Sequence, residues 1–489
     1  MNKTLLALVL VSAAALLRAD PVITSVEMAS APDGKTATIT YALSGAPAIV
    51  TLDILKDGVP LSNKVWRVSG DVNREVSASS GTIVWDCGAD WPESASGVAG
   101  VTAKVTAYAK SNPPKYMVVS LAGYPEDGRV AYYEDEYLIP GGVHDPMYKT
   151  SKVVMRHIPA RGVTWTMGSP SDEKGRLPDE TQHDVTMSND YWMAVYPTTA
   201  CQSQMGGGSG GQSVANFDLP MRPCQRLQWT AIRNADSEHT PDAPSATSIL
   251  GKFRDLTGLD FDLPSEAQWE FACRAGNYGS TWGDGSAILS DTKDDKLANM
   301  ARYRRNSGFV WTTKTKWVDP SANTLAKDGH MAIVGSYKPN SWGLYDMHGN
   351  CAEWCLDCYQ TDITGLGGAV CTNETLSGGS VKRVFRGGMY SADAWSCRAA
   401  RRFSDKATNQ WNGLGTYRLV CQGGIPRGLD APVVAPSACV SAAVAIAARG
   451  ATAGEPAASG SAIDTLCRSS GVIESLVNLL NRGLYILFR

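Results

Sequence analysis

The sequence has few histidines, little net charge and no long apolar run after its first twenty residues. The formal net charge of −3 gives no basic face for nucleic acid and no long acidic tail. No later stretch reaches the roughly 18 unbroken apolar residues that cross a bilayer, so no membrane span is predicted. No phosphate loop, dinucleotide fingerprint or serine nucleophile elbow occurs. The six histidines show no paired spacing typical of a catalytic metal centre; they are His144, His157, His183, His239, His330 and His348.

The N-terminus has the pattern of a secretory signal. Lys3 is followed by an apolar run from Leu5 to Leu17, and small residues then end at Ala19. The run is too short for a membrane span, so residues 1–19 are predicted to be a cleaved signal peptide. We therefore expect a secreted, periplasmic or cell-surface protein, and its 12 cysteines become candidates for disulfides.

Residues 20–110 alternate between apolar and polar side chains with period two. Ile39, Tyr41 and Leu43 would share one strand face, and turn sequences such as "PDGK", "SGAP" and "KDGVP" separate the runs. This pattern predicts an all-β sandwich of immunoglobulin or fibronectin type. The segment carries no cluster of His, Cys or carboxylate residues, which favours a spacer or interaction domain over a catalytic one.

The rest of the chain divides by composition. Residues 111–155 contain Pro, Gly and the acidic patch "YYEDEY", and are predicted to be a connector. Residues 156–425 are richer in Trp, Gly and Arg and are predicted to form an irregular α+β domain with few helices. One helix is predicted over 248–256, and another follows the capping box of Ser265 and Gln268. Residues 426–489 are low in complexity; a mobile tail is favoured over a surface or partner anchor.

Several segments in a fixed order indicate a family. They are "WTMGSPSDEKGR", "HDVTMSNDYWMAVYPTT", "FDLPSEAQWEFACRAG", "NSWGLYDMHGNCAEWCLDCY", "RVFRGGMYSADAWSCRAARR" and "GLGTYRLV". Together they resemble the formylglycine-generating enzyme, or sulfatase-modifying factor, family. The resemblance implies an irregular α+β fold related to C-type lectin-like domains. Enzymes of the family oxidise a sulfatase cysteine to formylglycine with copper and oxygen, whereas other members have other functions.

The copper-binding cysteines of those oxidases have no counterpart here. In the oxidases, two cysteines follow the "RGG" motif and bind copper(I), a soft ion that prefers thiolates. Here Arg386, Gly387 and Gly388 are followed by no cysteine until Cys397, and the interval is shorter than in the oxidases. No copper is therefore expected. Cys397 itself matches a structural cysteine of the family, and the resemblance implies a disulfide between Cys273 and Cys397.

The stretch "HGNCAEWCLDCY", residues 348–359, allows several interpretations of its cysteines. On one straight helix, His348 and Cys358 would lie about 15 Å apart at roughly 1.5 Å per residue, too far for a shared zinc ion. As a loop the geometry is free, but export favours disulfides over zinc thiolates. Cys355 and Cys358 have thioredoxin-like spacing without a surrounding βαβ unit. Alternatively, Cys358 and Cys371 could close the loop between them.

The same stretch contains the oxygen ligands of a predicted structural calcium site. Calcium takes six to eight oxygens from carboxylates, carbonyls and water. By resemblance, Asp346 and Glu353 would contribute side-chain oxygens, and Gly349 and Cys351 would contribute carbonyls. A second family calcium site maps to the side chains of Asn299 and Asp328 and the carbonyls of Met300 and His330. The alternative for both sites is a set of capping or turn carboxylates without an ion.

These observations predict an exported, non-oxidase family member that binds a protein or glycan. The candidate ligand pocket comprises Tyr390, Asp393, Trp395 and Arg398, with Arg401 and Arg402 beside them, because aromatic and guanidinium groups can hold a glycan or an acidic ligand. The alternative is that Trp395 and the arginines pack in the core and pair with acids. A second functional hypothesis is an enzyme of the same family that uses this pocket for oxidation.

Overall fold

The computed structural model describes most of the chain between residues 20 and 424. The described ranges are 20–61, 65, 67–91, 100–121, 130–208, 220–233, 243–279, 281–307, 309–311, 316–318, 331–371, 381–409 and 415–424. The predicted signal peptide and the predicted tail lie outside them. Within these ranges the fold is mostly β, with few and short helices. None of the helices described there has the length and apolar character needed to span a bilayer.

The first part of the chain forms two small antiparallel sheets. Its strands are β1 (Val22–Ser30), β2 (Ala37–Ser44), β3 (Ala48–Lys56), β4 (Val59–Pro60), β5 (Val68–Gly70), β6 (Arg74–Val76), β7 (Ser80–Trp85) and β8 (Val101–Tyr108), with helix α1 at Cys87–Asp90. One sheet has the order β1-β2-β7-β5, and the other has β3 at its centre, paired with β4, β6 and β8. As the period-two pattern predicts, Ile39, Tyr41 and Leu43 are all buried on one face of β2. They share a hydrophobic cluster with Val50 and Ile54 of β3.

A six-stranded antiparallel sheet forms the centre of the following domain. Its strands are β9 (Tyr116–Ser120), β10 (Val130–Tyr133), β11 (Lys152–Ile158), β14 (Tyr191–Ala194), β15 (Phe261–Asp262) and β22 (Val420–Cys421), in the order β10-β9-β11-β14-β22-β15. Met117 and Met155 lie on the face that packs against the helices, whereas Val118 and Val154 lie on the other face. The sheet therefore buries apolar side chains on both faces.

The predicted connector over residues 111–155 is instead part of this domain. β9 pairs with both β10 and β11, and two short 3-10 helices, Glu136–Leu138 and Pro146–Lys149, lie between the strands. The prediction was wrong because β9 is buried along its whole length. Such a short strand shows no alternation, and its hydrogen-bonding partners lie at a distance in the sequence.

The first two sheets contact the edge strand of the central sheet directly. The side-chain carbonyl of Asn73 accepts a hydrogen bond of 3.3 Å from the Tyr132 backbone N–H on β10. Ile49 of β3 belongs to the same hydrophobic cluster as Met117 and Tyr132. An unpaired strand edge can template association with other chains. These contacts cover part of the β10 edge.

Seven short α-helices accompany the sheets in the described residues. After α1 they are α2 (Ala200–Met205), α3 (Trp229–Arg233), α4 (Ile249–Thr257), α5 (Glu266–Arg274), α6 (Leu297–Met300) and α7 (Arg304–Ser307). The predicted helix over 248–256 is α4, with Ser248 as its N-cap. The predicted capping box is also confirmed, since Ser265 and Gln268 exchange hydrogen bonds of 3.1 and 2.9 Å at the start of α5.

A further four-stranded sheet carries several of the segments that resemble the family motifs. Its order is β20-β19-β18-β21, where β18 is Ala352–Cys358, β19 is Lys382–Arg386, β20 is Phe403–Lys406 and β21 is Gly415–Thr416. β12 (Thr164–Met167) pairs with β13 (His183–Thr186), and β16 (Phe309–Trp311) pairs with β17 (Lys316–Val318). α5 packs against β18 and β19. This places the "RGG" segment, at the end of β19, beside the helix that begins at Glu266.

Candidate functional site

The segment after β19 turns back sharply on itself. Gly387 and Gly388 both have positive φ, at 94° and 74°. A Cβ on Gly388 would lie 2.6 Å from the Ser396 carbonyl oxygen and 2.8 Å from the Cys397 sulfur. Only glycine allows this approach at that φ. The residues between Met389 and Ser396 therefore form a tight segment that ends in a 3-10 helix, Ala394–Cys397.

Arg304 of α7 holds this segment from outside. Its backbone N–H donates to the Ala392 carbonyl at 2.9 Å, and its Nε donates to the Ser391 carbonyl at 3.2 Å. Its guanidinium also donates to Asp393 at 2.7 Å, while Arg305 Nε lies 3.6 Å from the other Asp393 oxygen. Sequence reasoning did not identify these two arginines. The "ANMARYRR" sequence shows their charge but not the segment that they contact.

The Trp395 ring and the Arg401 guanidinium lie beside the segment that Arg304 contacts. The Arg401 guanidinium lies 5.1 Å from the centroid of the Trp395 ring and 4.3 Å from that of Phe403. Trp395 and Arg401 are both half-buried. Burial lowers the pKa of Arg401 from its ordinary value, partly offset by Glu180 and Asp179. Tyr390, also half-buried, is tied to the core through its N–H, which donates to the Asn350 carbonyl at 3.0 Å.

Arg398 does not belong to an accessible pocket, contrary to the prediction. Its side chain is fully buried and donates to Glu173 at 2.6 Å and to Glu180 at 2.7 and 2.9 Å. Arg402 is likewise buried, and it donates to both carboxylate oxygens of Glu266 at 2.7 and 2.9 Å. The alternative interpretation, pairing with acids in the core, is correct for these two arginines. The accessible part of the predicted pocket is Tyr390, Asp393 and Trp395, with Arg401.

Five of the buried charges form one hydrogen-bonded cluster, in which Arg402 and Arg386 both bind Glu266. Arg386 donates to Glu266 at 2.8 Å and also bonds Glu270, which receives a further bond of 2.9 Å from Arg274. Burial alone would raise the pKa of Glu270, but Arg274 and Arg386 outweigh it and lower the pKa below its ordinary value. The sequence indicates this cluster only through Glu266 and Glu270, two acids four residues apart on the otherwise largely apolar helix α5.

Cys273 and Cys397 are both buried, and no bond joins them in this structure. His348 lies between these two residues. The Cys273 sulfur is 3.6 Å from His348 Nε2, and His348 Nδ1 lies 2.8 Å from the Cys397 carbonyl oxygen. Gly283 N–H donates to Nε2 at 3.0 Å, which identifies Nδ1 as the protonated nitrogen. Burial lowers the pKa of His348 to about 4, so the ring is neutral and structural.

The cysteines of residues 348–359 are not arranged around a metal. Cys355 and Cys358 lie on the extended strand β18, and Cys351 directly precedes it. All three are buried. Among the residues that the structure describes, no group of three or more His, Cys, Asp or Glu side chains could hold a metal ion.

The first predicted calcium set lies around a tight turn before β18. Glu353 accepts bonds of 2.6 and 2.9 Å from Arg418 and of 2.8 Å from Trp269 Nε1. Asp346 accepts from Gly335 N–H at 2.7 Å. Burial raises the pKa of Asp346 to about 6; the charge of Glu353 adds to this, and Arg418 opposes it. The donors are all oxygens, as calcium requires, but Arg418 already neutralises Glu353.

Asp346 is the residue of this set whose charge a cation would stabilise. Gly349 and Cys351, whose carbonyls are predicted to complete the set, lie just before β18, and Asp346 also accepts from the Asn350 amide at 3.3 Å. In the second predicted set, Asn299 and Met300 lie in α6, and the Asn299 amide donates to the Asp295 carbonyl at 3.1 Å. Asp328 and His330 fall outside the described residues.

A family profile and individual relatives indicate the same family for this chain. The profile of the sulfatase-modifying factor enzyme 1-like domain matches residues 155–422. The formylglycine-generating enzyme of Streptomyces coelicolor is 34% identical over 160 residues, which are 31% of this chain and 44% of that protein. The "Inactive C-alpha-formylglycine-generating enzyme 2" of Mus musculus is 32% identical over 103 residues, 20% of this chain and 26% of that protein. The chain spans less than half the length of these relatives.

Two solved structures are similar over about half of the chain. PvdO from Pseudomonas aeruginosa has 21% identity and a TM-score of 0.41, and the match covers 55% of this chain and 94% of PvdO. Treponema denticola variable protein 1 has 20% identity and a TM-score of 0.37, and the match covers 55% of this chain and 95% of that protein.

The assignment of Arg398 to the core predicts a large stability loss on its removal. Arg398→Met should lower the free energy of unfolding by about 3 to 5 kcal/mol, because Glu173 and Glu180 would stay buried without their partner. Urea unfolding followed by tryptophan fluorescence measures the change. As a control, Arg401→Met should cost about 1 kcal/mol or less, since Arg401 is only half-buried. Equal losses in the two variants would contradict this assignment.

The raised pKa of Asp346 predicts a pH effect that calcium should reverse. In chelator, the folded pKa of about 6 lies above the ordinary value of 3.8. The Asp346 contribution to stability is therefore present below about pH 4 and is lost as the pH rises through 6, by up to about 3 kcal/mol. Thermal melts should show this loss in the wild type and not in Asp346→Ala.

Calcium should raise the melting temperature of the wild type at pH 7, because a bound ion stabilises the folded state. Asp346→Ala should not respond, whereas Asp33→Asn, a change at an exposed carboxylate, should respond like the wild type. Identical melts of the wild type in chelator and in calcium would refute the site.

Proposed function

Because the chain belongs to the sulfatase-modifying factor enzyme 1-like family, we propose that it is a non-oxidase member whose domain binds a ligand. The observation that carries this proposal is the segment from Met389 to Ser396. It contains no cysteine, and Arg304 holds it closed through three hydrogen bonds. The similarity to the "Inactive C-alpha-formylglycine-generating enzyme 2" of Mus musculus supports this proposal.

Cys273 and Cys397, the thiols near this segment, are poorly suited to replace the copper-binding cysteine pair of the oxidases. Copper(I) binds thiolates, and a thiolate requires a lowered pKa or an exposed position. Cys397 is completely buried, and this burial raises its pKa to about 12. Burial also raises the pKa of Cys273. Both side chains therefore stay protonated at neutral pH and act as small apolar groups in the core.

We propose that the ligand is an anionic group on a protein or a glycan. The accessible surface, which we call the Trp395 face, consists of Tyr390, Trp395, Arg304, Arg305 and Arg401. Arg305 has 46% of its side chain exposed, and Arg304 has 31%. Arg304 and Arg305 share one carboxylate, Asp393, and Arg401 adds a third positive charge over the Trp395 ring. The Trp395 ring adds a flat surface on which a sugar or a side chain can pack.

The proposal extends to the organisation of the whole chain. Residues 1–19 would direct export to the periplasm, the cell surface or the medium. Residues 20–110 would be an immunoglobulin- or fibronectin-like sandwich that acts as a spacer or interaction domain. Residues 111–155 and 156–425 would together form an α+β domain of the C-type lectin-like type with structural calcium, and residues 426–489 would be a tail. The contact between Asn73 and β10 supports a fixed orientation of the sandwich relative to the domain that contains β10.

Absence of oxidase activity is the first prediction of this proposal. Incubation of the purified protein with copper(I), oxygen and a sulfatase peptide should give no formylglycine, because no thiolate pair holds the metal. Mass spectrometry of the peptide detects the product. A formylglycine-generating enzyme serves as the positive control under the same conditions. Formylglycine production by this protein would refute the non-oxidase assignment.

Binding through the Trp395 face is the second prediction. Surface plasmon resonance with an immobilised sulfated oligosaccharide should give binding that the neutral oligosaccharide lacks. Trp395→Ala and Arg401→Gln should each weaken it about tenfold, corresponding to a loss of about 1.4 kcal/mol. The control is Arg161→Gln, which removes one exposed positive charge from a different loop. An equal loss in that control would show that net charge, and not this face, is responsible.

A further inference from the structure

Two cysteines at the end of β18 and in the following loop lie against each other. Cys358 is the last residue of the strand, and Cys371 follows the loop of residues 359–370. Both are buried, at 2% and 3% exposure. They form one small hydrophobic cluster with Val381, against which Leu366 packs. The two cysteine side chains therefore pack in the same small cluster.

The backbone fixes Cys371 in this place without a covalent bond. Cys358 N–H donates to the Cys371 carbonyl at 2.8 Å. The Cys371 N–H in turn donates to the buried Asp357 carboxylate at 2.9 Å. Both backbone polar groups of Cys371 are therefore held by the two residues at the end of β18. A disulfide formed here would need little backbone movement, which is the main requirement for a stable bridge.

Cys355, the other member of the thioredoxin-like spacing, lies elsewhere. It belongs to a different hydrophobic cluster, with Trp269 and Val384, and its sulfur is 4.0 Å from the Glu353 carbonyl. The Cys355–Cys358 pair lies on a strand, whereas a redox-active pair of this spacing begins a helix whose N-terminus lowers the thiol pKa. The structure thus favours Cys371 over Cys355 as the partner of Cys358.

We propose that Cys358 and Cys371 are joined in a disulfide when the chain folds in the presence of a disulfide oxidant. The two thiols lose two protons and two electrons as the sulfur–sulfur bond forms, and the oxidant's own disulfide is reduced to two thiols. The bond closes the loop of residues 359–370. This inference concerns the fold and does not depend on the proposed ligand binding.

The loop that this bond would close covers one end of the buried charge cluster. Tyr359 donates to Asp179 at 2.8 Å, and Arg402 donates to the Gln360 carbonyl at 2.8 Å. Thr186 N–H donates to the Gly367 carbonyl at 3.3 Å. The disulfide would therefore hold Arg402 and its partners away from water by keeping their cover in place.

The test is a mapping of disulfides in the full chain refolded in a buffer of oxidised and reduced glutathione. Free thiols are alkylated, and the protein is digested without reduction by chymotrypsin, which cleaves after Trp, Tyr and Leu. Cleavage at Leu356, Tyr359 and Leu366 separates the cysteines. Mass spectrometry should find residues 357–359 linked to residues 367–376. Alkylation of both cysteines, or a link from Cys358 to Cys355, would overturn the proposal.

Matched serine variants separate the bond from a general folding defect. Cys355→Ser should keep the linked peptide, and Cys358→Ser should lose it. After oxidative refolding, Cys358→Ser should melt about 5 to 10 °C below the wild type, as expected for a loop of this length. In reductant the two should melt within about 2 °C of each other. An unchanged difference in reductant would refute a disulfide, and Cys371→Ser provides the same comparison if Cys358→Ser does not fold.

Discussion

The buried pairing of arginines with glutamates is the constraint on which the rest of the domain depends. Arg386, Arg398 and Arg402 are each almost fully removed from water. Moving such charges from water costs several kcal/mol each unless partners of opposite charge are held in place. Glu266 and Glu270 meet this need from α5, and Glu180 meets it from the loop before β13. Helix α5, the sheet that contains β19 and the loop before β13 must therefore be placed together before these arginines have their carboxylate partners.

This constraint also decides which side chains remain accessible. The arginines of "CRAARR" that resembled a ligand pocket are used by the core, except Arg401, which lies over Trp395. Beside it, Arg304 reaches from α7 to Asp393 and closes the segment after the two glycines. A short segment closed in this way suits a rigid binding face, because its side chains lose little conformational freedom when a ligand arrives.

Local patterns were reliable where the physical cause is local. The capping box of Ser265 and Gln268 and the alternation of Ile39, Tyr41 and Leu43 depend on neighbours a few residues away, and both were confirmed. The connector was predicted wrongly because β9 is buried on both faces and its partners are distant strands. The Cys273–Cys397 bridge was inferred from a resemblance. The packing of the His348 ring beside both residues could not be inferred from spacing.

The sequence alone shows that no thiol lies between Met389 and Ser396, because the presence of an atom type does not depend on folding. It also determined the family, through motifs spread over the whole domain. Which arginines are buried and which are accessible follows from the three-dimensional packing. Arg398 and Glu173 are separated by 225 residues, so only the folded chain brings them together. Burial is a property of the assembled core, so no local pattern could reveal it.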